Sequence, residues 1–223
     1  MSAEERREQL ISIGLDLLET RPIHELALDE VAAVAGVSRT LVFHYFPSKA
    51  DFYAAVVATA GRRLVLASPH VPDADVDTRL RAMVSAFLKF VQRKRGAYVA
   101  LVRGAPGVDP RVMAELDEAR SALVGLWLDA AEWPVRDDVT RLAVRGWLGA
   151  LEEVALVAAA GTEVPRPTVV ELLVQGLLGD LRLARRLAAA DADGQPGEPT
   201  SSAGPGSPMP DELTSAIPDP SRR

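Results

Sequence analysis

The chain has 223 residues, no cysteine and a formal net charge of -6. That length suits one sizeable domain, or a small domain joined to a larger one, and the lack of cysteine excludes a disulfide framework and agrees with a reducing cytoplasm. The negative balance argues against a protein that coats nucleic acid without regard to sequence, but not against a reader that needs cations only where phosphates approach.

The opening segment "MSAEERREQL" is charged and helix-like, with no apolar core region and no small-residue cleavage site, so no signal peptide is expected. No apolar run approaches the ~20 residues of a membrane span. The richest candidate, "LGALEEVALVAAAG", carries two glutamates. A soluble cytoplasmic protein with no membrane partner is the expectation.

Leu10, Ile13, Gly14, Leu17 and Leu18 share one face of a first helix, which Pro22 is expected to stop. A second, short helix runs from about Leu28 to Val34 and ends at Gly36, where a backbone with positive φ is expected. Ser38 stands at an N-cap position, Arg39 to Phe46 makes about two turns of a third helix, and Pro47 ends it. Ser48 followed by Asp51 fits a capping pattern, so a fourth helix begins at Lys49 and runs into the 60s. After a loop over Ser68–Asp77, the periodicity predicts helices over Asp77–Arg93, Ala97–Arg103, Pro110–Ala131, Arg136–Ala160 and Pro167–Ala189. The breaks fall at "GAPGVDP", "EWPV" and "GTEVPRP". No run alternates long enough for a strand, so the fold class is all-α.

Residues 191–223 hold 7 Pro, 4 Gly and 5 Ser among 33 residues. Such a segment has too little apolar surface to offset its ordering entropy and is expected to be a disordered tail. The division expected is 1–50, a three-helix helix-turn-helix DNA-binding domain; 51–190, a helical ligand-binding and dimerisation domain; and 191–223, the tail.

Two short helices joined by a glycine turn, with another helix packed behind, suit a rod that must stand proud enough to enter a major groove. The stretch "LDEVAAVAGVSRTLVFHYFPSKADFYAAVV", Leu28 to Val57, resembles the DNA-binding segment of the TetR family of bacterial transcriptional regulators. The resemblance rests on Val31, Ala32, Ala35, Gly36, Val37, Ser38, Val42, Phe43, Tyr45, Phe46, Ser48 and Lys49, in order and with matching gaps. It implies a homodimer on a palindromic double-stranded operator, most simply a repressor released by a small, largely apolar molecule.

Within that motif the expected DNA-contacting residues are Ser38, Arg39, Thr40, Phe43, His44, Tyr45 and Lys49, with Gly36 forming the turn. Arginine reads guanine through O6 and N7. Tyr45 offers a ring to the domain and a hydroxyl to phosphate, and Lys49 adds charge to the free amides of a helix start. Against the family pattern, Ala27 replaces a capping hydroxyl residue, Leu41 a small hydroxyl residue and Phe43 a frequent tyrosine. Residues 1–50 also carry five cations against eight carboxylates. These departures imply weaker or more selective DNA binding.

Further along, Gly146, Gly149, Ala150, Gly176 and Gly179 put small residues about one turn apart, which serves either a dimer interface or close packing within the chain. The expected effector contacts are Tyr98, Arg103, Trp127, Trp147 and Glu152, aromatics for walls and charges for orientation. A competing reading is a helical small-molecule-binding protein that has lost specific DNA binding. An enzyme is not expected: there is no nucleophile–base pairing and no phosphate-binding glycine pattern, and His24, His44 and His70 are too scattered for a metal motif, so no metal or cofactor is anticipated.

Overall fold

Ser2 opens the first helix, α1 (Ala3–Leu17), and its hydroxyl accepts from the Glu5 amide at 3.1 Å while the Glu5 carboxylate accepts from the Ser2 amide at 2.6 Å. This reciprocal capping box starts the helix well ahead of its apolar stripe. The computed structural model describes residues 1–20, 25–69, 71, 73–103 and 109–194. Pro22, expected to stop α1, lies outside them, and the helix ends at Leu17.

The next helices, α2 (Leu28–Ala35), α3 (Arg39–Tyr45) and α4 (Lys49–Leu66), fall within a residue of expectation at every expected end. The body follows as α5 (Val76–Arg93), α6 (Arg95–Val102), α7 (Pro110–Ala130), α8 (Asp138–Ala160) and α9 (Arg166–Gly194). No strand occurs among the described residues, so the fold is all-α as expected. Helix α6 starts at Arg95, two residues ahead of expectation and without a side-chain cap, whereas aspartate caps set the starts of α5 and α8. Asp75 accepts from the Thr78 amide at 2.9 Å and Asp137 from the Thr140 amide at 2.7 Å, which places the first turns of α5 and α8 immediately after them. The last helix runs past Ala189 to Gly194, and the rest of the expected tail lies outside the described residues.

Two apolar clusters organise the packing. The first joins Leu10, Leu18, Val31, Val42, Phe46 and Phe52, all at most 1 % exposed, and continues into Leu101 of α6 and Leu116 of α7. The second gathers α5, α7, α8 and α9 around the Trp127–Trp147 pair, whose rings meet edge to face at 4.8 Å. Packing is therefore continuous across the boundary expected at residue 50. Helix α4 makes the connection: Phe52, Tyr53 and Val56 belong to the first cluster, and Gly61 lies so close to α7 that a Cβ there would sit 2.6 Å from the Ala119 Cβ.

A second connection joins the end of α1 to the start of α6. Lys94 pairs with Glu19 at 2.7 Å, and a Cβ on Gly96 would overlap the Glu19 carbonyl oxygen, a backbone atom that no rotamer can move away. Gly96→Ala is expected to cost about 1–3 kcal/mol through this overlap. Gly125, inside α7 with nothing within 4 Å of its Cβ position, is the control. Alanine there is expected to stabilise by up to about 1 kcal/mol through helix propensity. Thermal melts check the pair: a lowered midpoint for the first and a raised or equal one for the second.

Candidate nucleic-acid interface

The turn between α2 and α3 is built by backbone chemistry. Gly36 adopts φ 66° and ψ 34°, and the Val37 amide donates to the Ala32 carbonyl, five residues back, at 3.0 Å. This closes a Schellman turn that a side chain would strain. Ser38 is extended, and its hydroxyl accepts from the Leu41 amide at 3.2 Å, setting the axis of α3. Val42 and Phe46 anchor the inner face at 0 % and 1 % exposure, with the Phe46 ring edge-on to Phe52 at 5.0 Å. Ser38, Arg39, Thr40 and His44 are exposed on the outer face, while Leu41, Phe43 and Tyr45 are half-buried along its edges. Inner and outer residues thus separate cleanly on a helix of two turns.

The outer face is held in place by several contacts. The Arg39 guanidinium lies 5.3 Å from the Phe43 ring centroid and pairs with Asp29 at 3.0 Å. Both partners are well exposed, so the pair contributes little to stability in the free protein, of order 0–1 kcal/mol. Its consequence is orientation. The His44 ring meets Tyr45 edge-on at 5.5 Å. Lys49 opens α4 with its ammonium 5.2 Å from the Tyr53 ring centroid, beside the amides of a first turn capped by Ser48, which accepts from the Asp51 amide at 3.1 Å. Tyr53 itself donates to the Leu26 carbonyl at 2.6 Å, and burial pushes its phenol up to about 12, so it remains a donor.

The acidic departures also have places. Ala27 stands at the N-cap of α2 with no side-chain hydrogen bond, and Asp29 and Glu30 fill the first turn behind it. That helix start, ordinarily attractive to phosphate, carries an exposed Asp29 and a half-buried Glu30 in its first turn. Asp51 is tied back by Arg111 at 2.6 Å, and Arg111 also grips Asp109, whose carboxyl its hydrogen bonds hold down to about 2. The link from Asp29 to Arg39 is not visible in the sequence, since it spans ten residues across a turn.

The expected effector residues divide. Tyr98 and Glu152 line one cavity of about 220 Å³ between α1, α4, α6 and α7, where burial first, and then the Glu152 carboxylate, push the Tyr98 phenol up. Trp127 lines a neighbouring cavity of about 410 Å³ between α4, α5 and α7. Two of the expected residues stand apart from both cavities. Arg103 lines neither cavity: it is exposed and pairs with Glu153. Trp147 lines neither as well, because its ring packs on Trp127 and its indole N–H donates to the Leu173 carbonyl at 2.9 Å, which pins α8 to α9.

The small residues of α8 and α9 form a face of their own. Gly146, Gly149, Ala150, Gly176 and Gly179 are all exposed. A Cβ at Gly146, Gly149 or Gly179 would meet nothing within 4 Å, so packing within the chain does not require these glycines. Beside them Leu142, Val157, Leu172, Leu183 and Leu187 are between 45 % and 71 % exposed. No helix among the described residues is long and apolar enough to cross a membrane.

Residues 10–56 match the model of bacterial regulatory proteins of the tetR family, and residues 76–179 match that of the tetracyclin repressor-like C-terminal domain. Over 121 residues the chain is 31 % identical to the HTH-type transcriptional activator FasR of Mycolicibacterium smegmatis, covering 53 % of this chain and 55 % of FasR. The chain spans about half the length of this and another of the curated relatives it matches. A tetR-family transcriptional regulator from Streptomyces coelicolor superposes with a TM-score of 0.66 at 31 % identity, covering 86 % of this chain and 85 % of that one. A TetR-like regulator from Rhodococcus sp. RHA1 does so with a TM-score of 0.58 at 26 % identity, over 85 % and 98 % of the two chains.

Proposed function

The chain belongs to the TetR family of bacterial regulatory proteins, and from that premise we propose that it is a homodimeric, ligand-responsive DNA-binding regulator, a repressor of a palindromic operator in the cytoplasm. The observation that carries this reading is α3: anchored by Val42 and Phe46, it presents Arg39, Thr40 and His44 to solvent with Lys49 beside its far end. In the proposed complex Arg39 and Thr40 meet base edges in the major groove, while His44, Tyr45 and Lys49 meet phosphate.

Two readers need a two-fold partner, and the α8–α9 face supplies a surface for one: glycines that admit close helix approach, beside leucines left in solvent. Domains follow as residues 1–50 for DNA and 51–190 for ligand and dimer. An effector in the body reaches the DNA-reading head along a short route, because the cavity holding Tyr98 is also lined by Leu15, Asp16 and Glu19 of the head. It releases DNA only if it favours one arrangement of the two heads over the other.

Binding of the full chain to duplexes from upstream of its own coding region, followed over a salt series, tests this reading. A steep loss of affinity with rising salt is expected of a reader that displaces counterions. Absence of binding to every fragment favours the alternative, a ligand-binding protein without DNA recognition, which the carboxylates at the start of α2 would suit. Lys49→Ala is expected to weaken binding to all sequences alike and to lower the salt slope by about one. An unchanged slope removes Lys49 from the phosphate contacts.

A further inference from the structure

The cavity lined by Trp127 carries a charge pattern unlike that of the chain as a whole. It measures about 410 Å³, a volume suited to a small molecule, and its walls are largely apolar: Leu64, Met83, Phe87, Phe90, Leu123 and Trp127. Its polar lining comes from Ser68 and from Ser85, Lys89 and Arg93, which stand at successive i+4 steps and so form one stripe of α5. The chain as a whole has 31 acidic and 25 basic side chains, yet no described carboxylate lines this cavity.

Both cations are exposed, and neither has a described partner. The other arginines of α5 are engaged: Arg79 holds Glu132, and Arg81 holds Asp77 and Glu171. The adjoining cavity differs, since its Arg63, Lys94 and Arg120 are balanced by Asp16, Glu19 and Glu152. An apolar recess with two unmatched cations at its rim complements a molecule with an apolar body and one anionic end.

We propose that the cavity between α4, α5 and α7 binds an anionic amphiphile, its apolar part against Phe87, Leu123 and Trp127 and its carboxylate or phosphate on Lys89 and Arg93. This rests on the effector reading above and sharpens it from a largely apolar ligand to an apolar acid. The flexible stems of both cations let the ammonium and guanidinium reach the head group at the rim while staying hydrated.

The test is calorimetric titration of the full chain with decanoate, decyl phosphate and 1-decanol, each below its aggregation concentration, beside the double variant Lys89→Gln and Arg93→Gln. Both side chains are exposed, so the double variant leaves the core intact, and a thermal melt verifies that. At least one anion is expected to bind with one site per chain about tenfold or more tighter than the alcohol, as charge-assisted hydrogen bonds provide. The double variant is expected to erase that preference while leaving the alcohol's affinity unchanged. Decanoate binding alone marks a carboxylate head and decyl phosphate alone a phosphate head, and each upholds the class. Equal binding of alcohol and anions, an anion preference that survives in the double variant, or no binding by any of the three overturns it. DNA release is scored separately: an anion that binds as expected but leaves DNA affinity unchanged upholds this occupant and overturns the regulatory role given to it.

Discussion

Arg39→Ala is expected to relax the operator preference at one base position in each half-site while leaving the protein folded. The side chain is well exposed and its pair with Asp29 is a surface ion pair, so stability changes by less than about 1 kcal/mol. Recognition changes far more, because a bidentate contact to guanine is worth about 1–3 kcal/mol and a dimer makes it twice. Selection from random duplexes with the wild-type chain is expected to enrich a guanine in each half-site, and the variant is expected to lose enrichment at that position alone. Asp29→Asn belongs in the same experiment. It removes an exposed carboxylate beside the proposed reading helix, so binding to unrelated DNA is expected to rise, while the guanidinium loses one of its two supports and discrimination is expected to fall. A guanine preference that persists in Arg39→Ala would remove Arg39 from base reading.

A charge on the α8–α9 face has the second large effect. Gly149→Glu together with Gly179→Glu adds side chains where no described atom lies within 4 Å, so each subunit folds as before. In the proposed dimer, carboxylates added to this face would be buried without partners, at a cost of several kcal/mol. The variant is expected to sediment as a monomer. Its DNA affinity falls by at least about a hundredfold, because the second half-site no longer benefits from the high effective concentration that the linked readers share. Dimers that persist in the variant would place the interface elsewhere on the body.

The N-terminal helical head is legible from sequence because its punctuation is chemical. Gly36 takes the positive φ that only its position after α2 requires, Ser38 and Ser48 cap the helices they precede, and Val42 and Phe46 have the spacing of one buried side. Helix starts in the body shift where aspartates, rather than the apolar rhythm, set the first turn. The cavity residues were less accessible. Which side of a helix faces a recess depends on its phase against neighbours far along the chain, so Tyr98 and Glu152 meet, whereas Arg103 turns to the surface and Trp147 serves as a pin between α8 and α9. Gly96 gave no local sign of its contact, because the carbonyl it lies against belongs to Glu19, at the end of another helix. The same holds for Asp29, whose partner stands on the far side of the turn.

Hydroxyl-radical footprinting of the full chain on a duplex recovered by selection bears most directly on the outer face of α3 as the part that enters DNA. The expected pattern is two protected half-sites on one face of the duplex, about one helical turn or 34–36 Å apart or a multiple of it, related by two-fold symmetry and both lost when Arg39 and Lys49 are replaced by alanine together. A single protected patch, or protection that survives the loss of Arg39 and Lys49 together, would contradict it.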